Sequence, residues 1–197
     1  MEKPALTATP IHELLATRWS PCSFLSQRLD EEAVTALLEA ARWAASAYNE
    51  QPWRLLIATN DDPTNHAKMA SIAMEGNRIW AERAPLLILT VTKDRYSHND
   101  APNPYGWHDL GMATAQLTAE ATARGLAVHQ MAGFFADAAR RVYAIPEGFT
   151  PVSLLAVGYP GEPDALPEPL RRRDHAPRRR KDLGEIAFSG TWGAAAR

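Results

Sequence analysis

The stretch Ser46–Leu55, "SAYNEQPWRL", decides how the chain is read. It follows a strongly helical segment and precedes an apolar strand, where a plain turn would suffice. Instead it carries two amides, Asn49 and Gln51, together with Tyr48, Pro52 and Trp53. Asn and Gln each present donors and acceptors, which matches a heterocycle edge of alternating N–H and C=O groups. Pro52 fixes the local backbone. The same residues also suit a helix C-terminus closed by Asn49, with Trp53 in the core. On these residues alone, both readings stand.

Upstream, Asp30 is a good N-cap, and Glu31 and Glu32 suit the positive end of a helix dipole. Val34, Leu37, Leu38, Ala41 and Ala45 share one face, which predicts a helix from Asp30 to Ser46. Downstream, Arg54–Thr59 reads as a strand and Asp61–Asn65 as a turn into a short helix. "LLILTVT" after Pro85 has the composition of a buried central strand. Arg95–Gly106 is a polar, proline-broken loop. A helix over Tyr105–Arg124 carries Leu110, Ala113, Leu117 and Ala121 on one face, with Met112, Ala115 and Ala119 on others. Apolar residues on several sides point to a central helix or a subunit interface. Gly125 ends it. Leu126–Met131 is a strand, "FADAARRVYAI" (Phe135–Ile145) a helix and Pro151–Pro160 a last buried strand.

From Gly161 the composition changes. Pro163, Pro167, Pro169 and Pro177, with a basic run, predict an extended arm rather than a second domain. The expectation is a single domain over 1–197, core 11–160 and arm 161–197. Its class is α+β (mixed α/β layered), with a central mixed sheet covered by helices.

The 197 residues suffice for one core, and 46% apolar against 22% charged residues is the balance of a soluble globular protein. A net charge of -2 gives no global reason to expect nucleic acid or an anionic membrane as partner. Cys22 is the single cysteine, so no disulfide framework and no thiolate metal cluster is expected. The N-terminus lacks an apolar leader segment, and the longest apolar run, "APLLILTV" (Ala84–Val91), is too short to span a bilayer. A cytoplasmic location is therefore expected. Neither G-x-G-x-x-G after a strand, G-x-x-x-x-G-K-[ST], H-E-x-x-H nor G-x-S-x-G occurs. An enzyme of this sequence would rely on a bound cofactor rather than on a protein nucleophile or a metal.

Two further polar clusters stand out. In "RWSPCSF" (Arg18–Phe24), Arg18 and Ser20 offer a planar donor fork and a hydroxyl, a pairing suited to phosphate. A solvated arm explains the same residues. "RRRDHAPRRRK" (Arg171–Lys181) has no interleaved aromatics, which argues against a nucleic-acid surface. A solvated charge run, or one or two arginines on a defined phosphate, fits it better.

Taken in order, these pieces resemble the FMN-dependent nitroreductase family. The resemblance rests on Arg-x-Ser-x-x-x-Phe (Arg18–Phe24) and on Ala-Arg-Trp-Ala-x-Ser-x-x-Asn-x-Gln-Pro-Trp-Arg (Ala41–Arg54). It continues through "GNRIWAERAPLLILTV" (Gly76–Val91), "HDLGMATAQLTAEATARGLAVHQMAGF" (His108–Phe134), "IPEGFTPVSLLAVGYP" (Ile145–Pro160) and "RRRKDLGEI" (Arg178–Ile186).

The resemblance implies a homodimer with FMN at the subunit interface. Arg18 would grip the FMN phosphate, with Trp19 and Ser20 nearby. Ser46, Ala47, Asn49 and Gln51 would come from the partner chain. Backbone N–H groups at Ala132 and Gly133 would face flavin N5 and O4, and Arg178 and Arg180 would add phosphate contacts. Arg171 to Arg173 are left solvated. No side chain is assigned a catalytic role, because N5 of FMN carries the hydride. Tyr48, Tyr105 and His129 are read as structural more readily than as acids.

The implied activity is ping-pong transfer of hydride from NAD(P)H through FMN to a small planar electron-poor acceptor such as a nitroaromatic, quinone or enal. A non-enzymatic flavin binder and a same-fold enzyme using reduced flavin differently are the alternatives. Departures from the family pattern are Cys22, where a basic residue near flavin N1 and O2 is usual, Asp182 in place of proline, and Phe135 in "GFF". A neutral residue at Cys22 implies a lower flavin potential unless Arg54 or another cation substitutes.

Overall fold

The computed structural model describes residues 2–196. The chain runs α1 (Glu13–Thr17), α2 (Glu31–Arg42), β1 (Trp53–Thr59), α3 (Pro63–Ala70), α4 (Glu75–Ala81), β2 (Leu86–Lys93), α5 (Gly106–Ala123), β3 (Ala127–Met131), α6 (Ala136–Tyr143), β4 (Phe149–Gly158) and α7 (Glu168–His175). The strands form one sheet in the order β1-β2-β4-β3. The fold is α+β and layered, as expected. The sheet differs in one respect: all three pairings are antiparallel, not mixed. β2 and β3 do run the same way across the α5 crossover, but β4 enters between them, so no parallel neighbours meet.

Alternation along the strands supplies two apolar faces. Leu86, Ile88, Leu155 and Val157 pack against Leu37 of α2 and Leu110 and Leu117 of α5. Leu87, Leu89, Leu154 and Ala156 pack on the opposite side with Met69 of α3 and Trp80 of α4. Trp80 is fully buried and lies 4.4 Å from the His129 ring on β3. The β2 residues Leu86–Leu89 are inaccessible to solvent, in keeping with the central strand read from the sequence.

α2 is capped by Asp30, whose side chain accepts the Ala33 N–H at 2.6 Å. It stops at Arg42, short of Ser46. Beyond its end, Asp109 Oδ2, 62 residues further along the sequence, accepts the Ala47 N–H at 3.0 Å, and Ser46 takes extended backbone. α5 ends as expected at Gly125, which takes φ +72°.

The arm also differs from expectation. It holds a short 3₁₀ turn at Pro163–Ala165 and a two-turn helix, α7, where the prolines argued against regular structure. Pro169 sits within the first turn of α7, where a helix needs no N–H from it. Beyond α7 the arm is irregular apart from the turn Leu183–Glu185, which Asp182 and Glu185 close as a reciprocal capping box. Asp182 thus does its own structural work where the family has proline. No helix among the described residues is long and apolar enough to cross a membrane.

Candidate functional site

Three segments far apart in sequence meet at one corner of the molecule. Residues 3–5 strap across α1, with the Ala5 N–H bonded to Ala16 O at 2.8 Å. The Arg18–Ser23 turn follows α1. The segment from Arg173 to Arg180 closes over both. Arg178 Nη1 donates to Lys3 O at 2.7 Å and to Ala16 O at 2.6 Å, so this arginine is built into the corner. Arg18 Nη1 donates to Ser20 Oγ at 3.1 Å. Together these side chains line a cavity of about 200 Å³ with Lys3, Trp19, Arg173, Asp174 and Arg180.

The cavity is walled by five cationic side chains and one carboxylate. Burial lowers the Arg18 pKa, and Arg178 and Arg180 lower it further. Arg178 shifts down for the same reasons, burial and then Arg180. Like charges held together at this density favour an anion between them. The donor set of guanidinium forks plus a hydroxyl fits a phosphate group.

β3 leads away from this corner. His129 lies beneath it: its Nδ1 donates to Pro21 O at 2.7 Å, leaving Nε2 to accept from Arg173 Nη2 at 3.2 Å. Burial foremost lowers the His129 pKa, and the neutral ring this favours is the form that bonding pattern requires. His129 is therefore a structural link. Ala132 and Gly133 lie three and four residues further along, just past the end of β3. β3 is an edge strand, and neither the Ala132 nor the Gly133 N–H has a partner among the described residues. Gly133 O accepts from Met74 N and Asn77 Nδ2, both at 3.0 Å. A Cβ at Gly133 would lie 2.5 Å from Asn77 Nδ2, so a larger residue there would have to displace the Asn77 side chain.

Ser46, Ala47, Asn49 and Gln51 are not brought to this corner. They precede β1, the opposite edge of the sheet from β3, with β2 and β4 between, about 14 Å across. Their loop has an unusual backbone: Tyr48, Asn49 and Gln51 take φ of 54°, 55° and 49°. Each non-glycine residue in the left-handed region costs on the order of 1–2 kcal/mol. The surroundings hold it there. Ser46 Oγ accepts the Gln51 N–H at 3.0 Å, and Gln51 Nε2 donates to Asn49 O at 3.0 Å. The Glu50 carboxylate accepts the Ser97 N–H and hydroxyl, at 2.8 and 2.6 Å. Tyr48 stays 82% exposed beside Tyr96 and His98. Tyr105, at the start of α5, is also exposed.

Cys22 has no accessible surface and packs in the core. Burial and the neighbouring Asp174 push its thiol up to about 12, which makes it inert. The Arg54 guanidinium donates to Gln51 O and Trp53 O beside β1. One sequence reading needs correction: Arg173, read as solvated, is exposed like Arg171 and Arg172 but also donates to His129 Nε2. Lys3 and Asp174 were missed altogether. The one signal for Asp174 was a single acid inside a run of arginines.

The family model described as "Nitroreductase family" matches residues 15–79 and 62–159. The chain belongs to the nitroreductase family. A solved structure described as "the oxidoreductase containing FMN" is 32% identical to this chain and covers 96% of each, with a TM-score of 0.91. An uncharacterized 15.4 kDa protein from Mycolicibacterium smegmatis is 37% identical over 126 residues, 64% of this chain and 82% of that one. A protein of Methanothermobacter thermautotrophicus named "Putative NADH dehydrogenase/NAD(P)H nitroreductase" is 25% identical over 156 residues, 76% of this chain and 77% of that one.

Proposed function

We propose that this chain is an FMN-dependent oxidoreductase acting between NAD(P)H and a small planar electron-poor acceptor. The carrying observation is the convergence of Arg18, Ser20, Arg178 and Arg180 on one cavity rich in cations and poor in counter-charge. When bound, FMN supplies two-electron hydride chemistry, with NAD(P)H and a nitroaromatic, quinone or enal visiting the site in turn. Family membership and the FMN-containing relative support the choice of cofactor. The name of the Methanothermobacter relative favours NAD(P)H as donor.

In this reading Arg18, Arg178 and Arg180 hold the phosphate, and Trp19 and Ser20 flank it. The free N–H groups of Ala132 and Gly133 orient the ring system, and Gly133 leaves the close backbone approach open. Ser46, Ala47, Asn49 and Gln51 serve the site of a second protomer, because β1 and β3 occupy opposite edges. A homodimer is further supported by apolar surface left exposed on and near α5: Trp107 at 58%, Met112 at 40% and Trp43 at 74%. Hydride transfer asks no side-chain proton donor at the carrier itself, which agrees with the neutral, internally bonded His129.

The test is a visible spectrum of the purified protein, followed by anaerobic addition of NADPH or NADH. A flavin spectrum that bleaches is expected. A flavin that neither nucleotide bleaches would make the protein a flavin binder, or an enzyme reduced by another route. No flavin and no uptake of added FMN would sink the proposal.

A further inference from the structure

Asp174 stands inside a run of cations, yet only 1% of its surface is exposed. Its Oδ2 accepts two backbone N–H groups, from Cys22 at 2.8 Å and from Ser23 at 3.2 Å. Its own carbonyl oxygen accepts Lys3 Nζ at 2.6 Å. The preceding residue, Arg173, donates to His129 Nε2, and His129 Nδ1 holds Pro21 O. Two adjacent residues of α7 thus pin the arm to the Pro21–Ser23 turn and to β3. Arg18 and Ser20 lie immediately before that turn, and Arg178 follows α7.

A carboxylate in a cavity that receives an anion opposes binding by Coulomb repulsion. Here it is committed to two N–H groups of the segment that presents Arg18 and Ser20, which is a geometric task. We infer that Asp174 is a positioning residue for the phosphate of the ligand: it fixes the Arg18–Ser20 turn against the arm so that their donors converge on one point. This rests on the FMN reading above. The residue touches no reacting atom. Its effect is carried by Arg18, Ser20 and Arg178.

The experiment compares wild type, Asp174→Ala and Asp174→Asn in fluorescence titrations with FMN and with riboflavin, which has the same rings and no phosphate. Thermal melts accompany each titration. Asp174→Ala removes the acceptor, and the FMN Kd should rise about tenfold while the riboflavin Kd stays within about twofold. Asp174→Asn keeps a neutral acceptor, and the FMN Kd should rise about threefold. Charge removal alone predicts the opposite sign, tighter FMN binding by both variants. Tighter or unchanged FMN binding overturns the inference. So does an equal loss for both ligands, the signature of general destabilisation.

If neither variant folds, amide hydrogen exchange on the ligand-free wild type decides. The Cys22 and Ser23 N–H groups should be protected, and exchange at the rate of an unstructured peptide overturns the inference. A wild type that binds neither flavin overturns the FMN reading itself, and this inference with it. A wild type that binds FMN, with variants that keep its preference over riboflavin, overturns the inference alone.

Discussion

The Arg18–Ser20 corner and the Ser46–Trp53 loop both interrupt regular structure with polar residues, but they are built in opposite ways. The corner is assembled from three segments up to 175 residues apart, joined by side chain to backbone bonds. Its backbone is unstrained, and its distinguishing property is uncompensated positive charge. The loop is short and nearly local. Its distinguishing property is backbone shape: three left-handed residues within four positions, held by Ser46, Glu50 and Asp109. The first design suits recognition of charge, which needs several cations brought from anywhere. The second suits recognition of a flat polar edge, which needs amides held at fixed angles. The two regions lie at opposite edges of the sheet within one chain, and on the reading proposed above the loop serves the site of a second protomer.

The largest expected effect breaks the charged half. Arg18→Ala should raise the FMN Kd by about 10–100-fold with riboflavin little changed, checked by titration. Mixing then tests the division between protomers. Chains carrying Arg18→Ala alone and Asn49→Ala alone, refolded together one to one, should regain about a quarter of the wild-type sites through mixed dimers. No recovery would falsify the assignment of the loop to the partner's site.

A smaller effect probes the shaped half. Asp109 is 3% exposed and holds the Ala47 N–H. Asp109→Ala should cost about 2 kcal/mol in denaturant unfolding and weaken FMN and riboflavin alike. An effect confined to FMN would contradict the comparison.

His129 gives the corner a pH dependence. Its folded pKa is lowered, foremost by burial. As pH falls below about 6.5, the unfolded chain takes up the proton first, so stability is full above that value and declines below it. The slope is at most about 1.4 kcal/mol per pH unit. Melts of His129→Gln across pH 5–8 should lose this component, an acid limb that Asp109→Ala retains.

The smallest effect concerns strain. Ala144, at the end of α6, shares the left-handed backbone with Gln51, at φ 50°. Glycine at either position should stabilise by about 0.5 kcal/mol, the relieved strain being partly offset by chain entropy. Ala144→Gly should leave flavin binding alone, while Gln51→Gly should weaken it. Equal behaviour of the two would show the Gln51 amide to be incidental to binding.

The sequence by itself determined the pieces that local physics controls. The capped start of α2, the buried β2 strand and the glycine stop of α5 follow from short-range preference and from periodicity. The polar loop before β1 and the Arg18–Ser20 pair were ambiguous taken singly and became legible through their order along the chain, which carries the family resemblance. Only the tertiary structure decided the rest. Asp109 holds the Ala47 N–H past the end of α2 from 62 residues away, a partner no propensity could reveal. β4 inserts between β2 and β3, so the sheet is antiparallel. α7 forms despite its prolines because Pro169 falls in its first turn. Cys22 turns inward and Asp174 is buried among arginines, since burial and pairing are settled by which distant segments meet. Sequence states which groups are available, whereas packing decides which are desolvated and what they face.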